Sequence, residues 1–197
     1  MFQIRIHGRG GQGVVTAAEL LSLAAFDEGK HAQAFPSFGS ERMGAPVMAF
    51  CRIHDGPIRL REPVSKPDAL IVQDATLVTQ VDLFSGLNPD GFLLVNTSRK
   101  LADLGLESLQ GRLKAERIVS VPASELAMRY IGRPLPNIAL LGAFCALTGV
   151  LRLESVIEAI GEKFSGHAAA SNRDAARAAH DLVREITQGE GFRVEAN

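Results

Sequence analysis

Residues 2–29 read FQIRIHGRGGQGVVTAAELLSLAAFDEG, and this stretch decides the fold. Residues 2–7 alternate apolar and polar side chains, the period of two of a β-strand with one face more buried than the other. Four glycines then fall within residues 8–13, and from Val14 the apolar side chains recur at helical steps of three and four residues until Gly29. The stretch therefore predicts a strand, a glycine turn and a helix.

The rest of the chain continues this alternation. Short apolar runs predict further strands at 47–53, 69–73, 91–95 and 117–121. Helices are predicted at 75–84, 101–113, 123–130, 137–149, 153–164 and 168–187. A long loop, 35–46, follows a short segment at 30–35. We expect one α/β domain over residues 1–197, with a mostly parallel, Rossmann-like sheet flanked by helices and a helical C-terminal third.

Composition excludes several classes of function. A net charge of -1, no Trp and one Tyr provide neither the positive field nor the aromatic platforms that bind nucleic acid. Cys51 and Cys145 have no Cys or His at ligand spacing, so we expect no iron–sulfur or zinc site held by this chain. No apolar run reaches the ~20 residues of a membrane helix, and residues 1–6 do not have the basic and then apolar pattern of a leader. We therefore expect a cytoplasmic protein without a membrane span.

The glycine turn has two interpretations. Gly8-x-Gly10-x-x-Gly13 between a strand and a helix would let a phosphate approach backbone N–H groups at the start of the helix. Alternatively, the glycines serve only tight turning and close packing of the helix on the sheet. The strand before the motif and the helix after it favour the phosphate interpretation.

The residues after the first helix indicate which nucleotide is bound. An NAD site would place an acidic residue about 20 residues past the glycines, to accept the ribose hydroxyls. This chain instead has Ser37, Ser40 and Arg42 in that region. Two hydroxyls and a cation favour a phosphorylated nucleotide such as coenzyme A or NADP, although ordinary turn chemistry also explains the serines.

Polar residues follow three predicted strands, at His7-Gly8, Gln73-Asp74 and Asn96-Thr97. Ligands of open α/β sheets gather at the carboxyl ends of the strands, so we expect these residues at one edge. For Asp74 a role as helix cap is preferred, whereas the Asn96-Thr97 loop is expected to contact a ligand.

The sequence contains no recognisable set of catalytic residues, which favours a binding subunit. Cys51 and Cys145 lie in apolar runs and are interpreted as buried core residues. Asn137 is predicted to be the N-cap of the helix behind it. That helix is uniformly apolar, so it is either buried centrally or placed at a subunit contact, and we favour the contact.

Four blocks together resemble a known family: residues 8–18 (GRGGQGVVTAA), 36–46 (PSFGSERMGAP), Asn96-Thr97 and 137–143 (NIALLGA). They are similar to the gamma subunit of the 2-oxoacid:ferredoxin (acceptor) oxidoreductases, over roughly residues 2–187. The resemblance implies a complex dependent on thiamine diphosphate and iron–sulfur clusters, which oxidatively decarboxylates a 2-oxoacid to an acyl-CoA. It also implies alpha, beta and ferredoxin-like delta subunits that hold the thiamine diphosphate, Mg and clusters, and an external electron acceptor.

The resemblance further implies that this chain helps to form the coenzyme A site, is inert alone, and holds no catalytic or metal-binding residue. Carried over by position, the implied site residues are Gly8, Arg9, Gly10, Gly11, Gln12, Gly13, Ser37, Ser40, Arg42, Asn96 and Thr97. The chain departs from the family at Val14, where a hydroxyl is common, and at 172–177, which lack the usual Asn-x-x-Ala-Phe pattern. The alternatives are an NADP-binding oxidoreductase domain and a purely architectural subunit.

Overall fold

The computed structural model describes residues 1–37, 43–106 and 111–188. A single six-stranded sheet forms the centre, in the order β2-β3-β1-β4-β5-β6. The strands are β1 Phe2–Arg9, β2 His31–Pro36, β3 Pro46–His54, β4 Ala69–Val72, β5 Phe92–Asn96 and β6 Ile118–Val121. Strands β1, β4, β5 and β6 are parallel, whereas β3 runs antiparallel to both β1 and β2. The predicted strands and the mostly parallel sheet are confirmed, and the short segment at 30–35 is the edge strand β2.

Five α-helices accompany the sheet within the described residues. They are α1 Val14–Asp27, α2 Ala123–Ile131, α3 Asn137–Thr148, α4 Leu153–Lys163 and α5 Gly166–Gln188. The helical C-terminal third is therefore confirmed, with each helix close to its predicted bounds. None of the helices in this described part of the chain is long and apolar enough to cross a bilayer.

The helix predicted at 75–84 is wrong, and so is the described part of the helix predicted at 101–113. The first region holds only the 3-10 turn Ala75–Thr79, and the second holds the 3-10 turn Ala102–Leu104, with 107–110 outside the described residues. Residues 76–81 include four β-branched side chains, which restrict χ1 and disfavour an α-helix. Gly105, with φ of 70°, ends the second turn in a left-handed conformation.

The two faces of the sheet are covered differently. Ile4 and Ile6 of β1 point toward a core shared with α1, α3, α4 and α5, which we call the helical face. Arg5 and His7 point to the opposite, loop-covered face, where Arg5 donates hydrogen bonds to the carbonyls of Leu83 and Ser85, both at 2.7 Å. Both faces of β1 are therefore buried, as expected for a strand in the middle of a sheet.

Helix α3 lies at the centre of the helical face. Residues 137–145 are all buried, and the helix packs against α2, α4, α5 and the strands β5 and β6. The preferred interpretation of this helix as a subunit contact is wrong, because its own chain covers it. Its uniformly apolar sequence reflects burial on every side.

Candidate functional site

The carboxyl ends of β1, β4 and β5 lie side by side at one edge of the sheet, as predicted. The backbone N–H of Gln73 donates to the carbonyl of His7 at 2.7 Å, and Asn96 Nδ2 donates to the carbonyl of Gln73 at 2.8 Å. The His7 side chain turns away toward the loop-covered face, where burial and the nearby Arg5 lower its pKa to about 4. A neutral imidazole therefore lies behind this edge at physiological pH.

The glycines of the turn serve packing at two positions. A Cβ at Gly8 would lie 2.6 Å from Val14 Cγ2, so Gly8 allows α1 to approach β1 closely. Gly13, the N-cap residue of α1, has φ of 69° and no room for a Cβ because the Asn137 amide fills that space. The packing interpretation is thus supported for Gly8 and Gly13, and it leaves the phosphate interpretation open at the start of α1.

The chain itself uses part of the turn backbone. The N–H of Arg9 donates to Gln12 Oε1 at 2.8 Å, and the N–H of Gly10 donates to the carbonyl of Ala45 at 2.9 Å. The first helical bond of α1 comes from the N–H of Ala17 to the carbonyl of Gly13, so the N–H groups of residues 14–16 have no partner within the helix. The start of α1, rather than the first half of the turn, is where an anion would find donors.

Arg9 and Gln12 are held by Asp74. Arg9 Nε lies 3.2 Å and Gln12 Nε2 lies 3.0 Å from Asp74 Oδ2, and Arg9 also donates to Thr76 and Gln80. Burial alone would raise the pKa of Asp74, but the hydrogen bonds from Thr76 and Gln12 and the charge of Arg9 hold it below its usual value. Asp74 also accepts from the N–H of Thr76 at 3.0 Å, which confirms its predicted capping role, here for a 3-10 turn.

Asn96 and Thr97 are also engaged within the chain. Asn96 Nδ2 donates to Gln73 and to Ser124 Oγ, and its Oδ1 accepts from the N–H of Ser124 at 3.1 Å. Thr97 Oγ1 accepts from the N–H of Arg99 at 3.0 Å. The Asn96 amide therefore joins the end of β5 to the start of α2, and a role toward a ligand stays a prediction.

The predicted site residues do not form one cluster. Ser37 follows β2 and donates its N–H to the carbonyl of Met48, whose strand partner is His7. Four strand spacings separate β2 from β5, so Ser37 and Asn96 lie about 19 Å apart at ~4.8 Å per strand. Ser40 and Arg42 lie outside the described residues.

A cavity on the helical side of the glycine turn was not predicted. It has a volume of about 560 Å³ and is bounded by the starts of α1 and α3, the α2–α3 connection and the α4–α5 junction. Gly11 and Gly13 form one wall, the cationic side chains among the described lining residues are Arg133 and Lys163, and His167 contributes an imidazole. A second cavity of about 330 Å³ lies toward β3 and is lined by the same glycines together with Arg9 and Val47.

Asn137 lines the larger cavity and contacts the glycine turn. It is the first residue of α3, and its Nδ2 donates to the carbonyl of Gly13 at 3.2 Å. The prediction that Asn137 is the N-cap is wrong, because Pro136 occupies that position and the amide is directed across to α1. Its place in the block 137–143 was the available signal that this residue belongs to the site.

Neither cysteine contributes to the site. Cys51 lies on β3 and Cys145 on α3, and both are buried. Burial raises the pKa of each thiol to about 12, so both are protonated at neutral pH. Their interpretation as core residues is confirmed.

The fold and the strand edge define the class of protein: a Rossmann-like α/β chain whose candidate site surrounds the start of α1. Residues 3–182 match the family described as pyruvate ferredoxin/flavodoxin oxidoreductase, and the chain belongs to this family. The resemblance identified from the four sequence blocks is thereby confirmed over nearly the whole chain.

Individual relatives agree with this assignment. The chain is 47% identical over 186 residues to pyruvate synthase subunit PorC of Methanothermobacter marburgensis, covering 93% of this chain and 98% of that protein. It is 45% identical over 181 residues to the pyruvate/ketoisovalerate oxidoreductases common subunit gamma of Pyrococcus furiosus, covering 92% and 96%. The crystal structure of pyruvate oxidoreductase subunit PORC from Thermotoga maritima has 35% sequence identity and a TM-score of 0.76, over 91% of this chain and 95% of that chain.

Proposed function

We propose that this chain, as the gamma subunit of a multi-subunit 2-oxoacid oxidoreductase, helps to bind coenzyme A and to position its thiol. The observation that carries the proposal is the start of α1. No side chain caps it, its first turn has no acidic residue, and Gly11 and Gly13 leave it open between two cavities. Such a helix start stabilises a phosphate through its N–H groups and its dipole.

The residues present fit a phosphorylated nucleotide. Val14, Val15 and Thr16 line the smaller cavity, and Thr16 also lines the larger one. No acidic side chain lines either cavity among the described residues. A long ligand such as coenzyme A could extend over the start of α1 from one cavity to the other.

The reaction is then divided among chains. In the proposed complex, the alpha, beta and ferredoxin-like delta subunits hold thiamine diphosphate, Mg and iron–sulfur clusters. These cofactors supply the decarboxylation of the 2-oxoacid and the transfer of electrons to an external acceptor. This chain orients the coenzyme A thiol, which lowers the entropic cost of forming the acyl-CoA product.

A carboxylate at the start of α1 tests the proposal. Thr16→Glu would repel a phosphate, yet an acidic side chain in the first turn stabilises a helix, so the fold is expected to be preserved. In the assembled complex we expect KM for coenzyme A to rise about tenfold or more, equivalent to ~1.4 kcal/mol, with KM for the 2-oxoacid unchanged.

Thr16→Gln, which has nearly the same shape without the charge, is the matched control and is expected to stay within about twofold of the unsubstituted complex. An unchanged KM in Thr16→Glu would refute binding at this helix start. Thermal protection of the chain by NADP but not by coenzyme A would instead favour the nicotinamide nucleotide alternative, and protection by neither would favour an architectural subunit.

A further inference from the structure

Strand β2 forms one edge of the sheet and pairs on one side only, with β3. The N–H of Ser37 donates to the carbonyl of Met48 on β3 at 2.8 Å. Because successive residues of a strand face alternate sides, Ala32 and Ala34 direct their N–H and C=O groups away from β3. These groups make no backbone hydrogen bond with the described residues, and we call them the β2 edge.

The β2 edge lacks the features that usually keep strand edges apart. Exposed edges are normally protected by lysines, by inward-pointing charges, by bulges or by very short strands. No Lys, Arg, Asp or Glu lies within β2, and its six residues pair with β3 without a bulge. The opposite edge, β6, has four residues and directly follows the 3-10 turn Ala115–Arg117. Of the two edges, β2 is therefore the one open to another strand.

A second copy of β2, antiparallel to the first about a twofold axis, satisfies the β2 edge in one register. In this register Gln33 lies opposite Gln33 of the second copy, and each Ala32 faces an Ala34. Residues that face each other in this way exchange two N–H to C=O hydrogen bonds. All the free groups of the β2 edge are then paired on both copies.

Neighbouring registers leave groups without partners. A shift by two residues in one direction places Ala32 opposite Pro36, which has no N–H. A shift in the other direction places Ala34 opposite Lys30, whose N–H already donates to the carbonyl of Ala25 at 3.0 Å. The register centred on Gln33 is therefore the favoured one.

Helix α1 fits the same pairing. It packs against β2 and β3 to a similar extent, so its axis lies roughly above the middle of these two strands. With strands ~4.8 Å apart, the axes of α1 in the two copies would lie about 10 Å apart, close to the 8–10 Å of packed helices. The strand layer and the helix layer of two copies therefore close together.

The exposed side of α1 has side chains suited to such a contact. Val15, Ser22 and Phe26 recur at helical steps outside the buried positions of α1. Val15 lines the smaller cavity together with Val47 of β3, so this stripe lies on the side of α1 nearest the sheet edge. Phe26 is 73% exposed, which is unusual for a large apolar side chain in a single chain.

We propose that the β2 edge and the stripe Val15, Ser22 and Phe26 of α1 bind a second copy of this chain, so that the two six-stranded sheets become continuous. A second copy is the occupant because the same surface is complementary to itself in two layers, as an isologous interface requires. The paired strands bring no like charges together. The proposal does not depend on coenzyme A binding, and it predicts that the complex contains its gamma subunits in pairs.

Gln33→Cys tests the register. The two Gln33 residues form a pair without backbone hydrogen bonds, where Cα atoms lie about 4.5 Å apart, a distance that a disulfide spans. With oxidised glutathione as oxidant, we expect a disulfide-linked pair of gamma chains, from the full-length chain and from the assembled complex. The native thiols Cys51 and Cys145 are buried and are not expected to react.

His31→Cys is the matched control for the disulfide. His31 is exposed on the same strand and faces Phe35 of the second copy in this register. The two introduced thiols are then about 13 Å apart along the strands, too far for a disulfide. We expect no linked pair from this variant.

Sedimentation equilibrium of the full-length chain measures the association. Ala34→Pro removes an outward N–H that the fold of one chain does not use, and proline is tolerated at such edge positions. Phe26→Asp places a charge in the proposed contact. Each change is expected to weaken dimerisation about tenfold or more. The circular dichroism spectrum is expected to stay that of the unsubstituted chain.

Met128→Asp is the matched control for Phe26→Asp. Met128 is also an exposed apolar side chain, 51% accessible, but it lies on α2, which follows β6 at the other edge of the sheet. Its replacement is expected to leave the dimerisation constant within about twofold, which separates a local contact from a general effect of added charge.

Four results would overturn the proposal. The first is a chain that stays monomeric at every concentration while Gln33→Cys gives no linked pair in the complex. The second is a dimer that neither Phe26→Asp nor Ala34→Pro weakens. The third is assembly beyond a dimer, and the fourth is a Gln33→Cys disulfide to a different subunit. A linked pair of gamma chains from Gln33→Cys but not from His31→Cys supports it.

Discussion

At the scale of single residues, Asp74 organises the edge of the sheet. One carboxylate accepts hydrogen bonds from Gln12 and from Thr76 and forms an ion pair with Arg9. These groups stabilise the ionised form, which is why the pKa of Asp74 lies below its usual value despite partial burial. The Asp74 carboxylate thus joins Arg9 and Gln12 of the glycine turn to the segment that follows β4.

This arrangement predicts a pH dependence of stability. Because the folded pKa of Asp74 is depressed, its contribution is present above the unfolded pKa and is lost as pH falls through the folded pKa. Asp74→Asn is expected to lower the free energy of unfolding by about 1–2 kcal/mol at pH 7, with the difference shrinking below about pH 4. Urea unfolding at a series of pH values measures it.

Asp55→Asn provides the comparison, since Asp55 is exposed and makes no side-chain hydrogen bond or ion pair with other described residues. It is expected to change stability by less than about 0.5 kcal/mol at any pH. A loss in Asp74→Asn that stays constant from pH 7 to pH 3 would show that the contribution is not electrostatic.

At the scale of elements, the crossing of α3 and α5 positions two of the helices that bound the larger cavity. A Cβ on Gly142 would overlap the backbone carbonyl of Ala176, so the two helices approach more closely than any larger residue allows. This approach brings the start of α3 and the start of α5 to the same cavity. Small residues at one crossing therefore support the geometry of a site elsewhere on the same helices.

Gly142→Ala tests the close approach. In an isolated helix this change is favourable by about 1 kcal/mol, whereas here we expect a loss of roughly 2 kcal/mol or more because buried backbone must move. Thermal unfolding of the purified chain measures the effect.

The obstructing atom is a main-chain oxygen, so removing the neighbouring methyl group with Ala176→Gly is not expected to rescue Gly142→Ala. A stabilised Gly142→Ala variant, or one rescued by Ala176→Gly, would contradict the backbone contact.

At the scale of the whole molecule, the described part of the chain presents donors and a cavity but no catalytic set. We therefore expect the purified chain to show no dye reduction dependent on 2-oxoacid and coenzyme A, and the assembled complex to show it. Adding partner subunits back to the isolated chain is expected to restore the activity. Turnover by the chain without partners would refute the division of the reaction among subunits.

Much of the fold was predictable because it is encoded locally. A period of two marks strands, helical spacing marks α1 to α5, and glycines mark the turn between β1 and α1. The exceptions also have local causes, since β-branched residues accompany the 3-10 turn at Ala75–Thr79 and Gly105 ends the 3-10 turn at Ala102–Leu104. Of the residues predicted for the site, Gly11 and Gly13 line both cavities, and Arg9 and Gly10 line the smaller one.

By itself, the sequence determined the strand, glycine turn and helix at the start of the chain, the succession of the other strands, and the family. Only the tertiary structure decided which side of α1 holds the larger cavity. Asn137 contacts Gly13 across 124 residues, and Arg133, Lys163 and His167 come from equally distant segments. The physical reason is that a local pattern sets the period and turns of the backbone, whereas the meeting of distant segments depends on how helices pack once their apolar faces are buried.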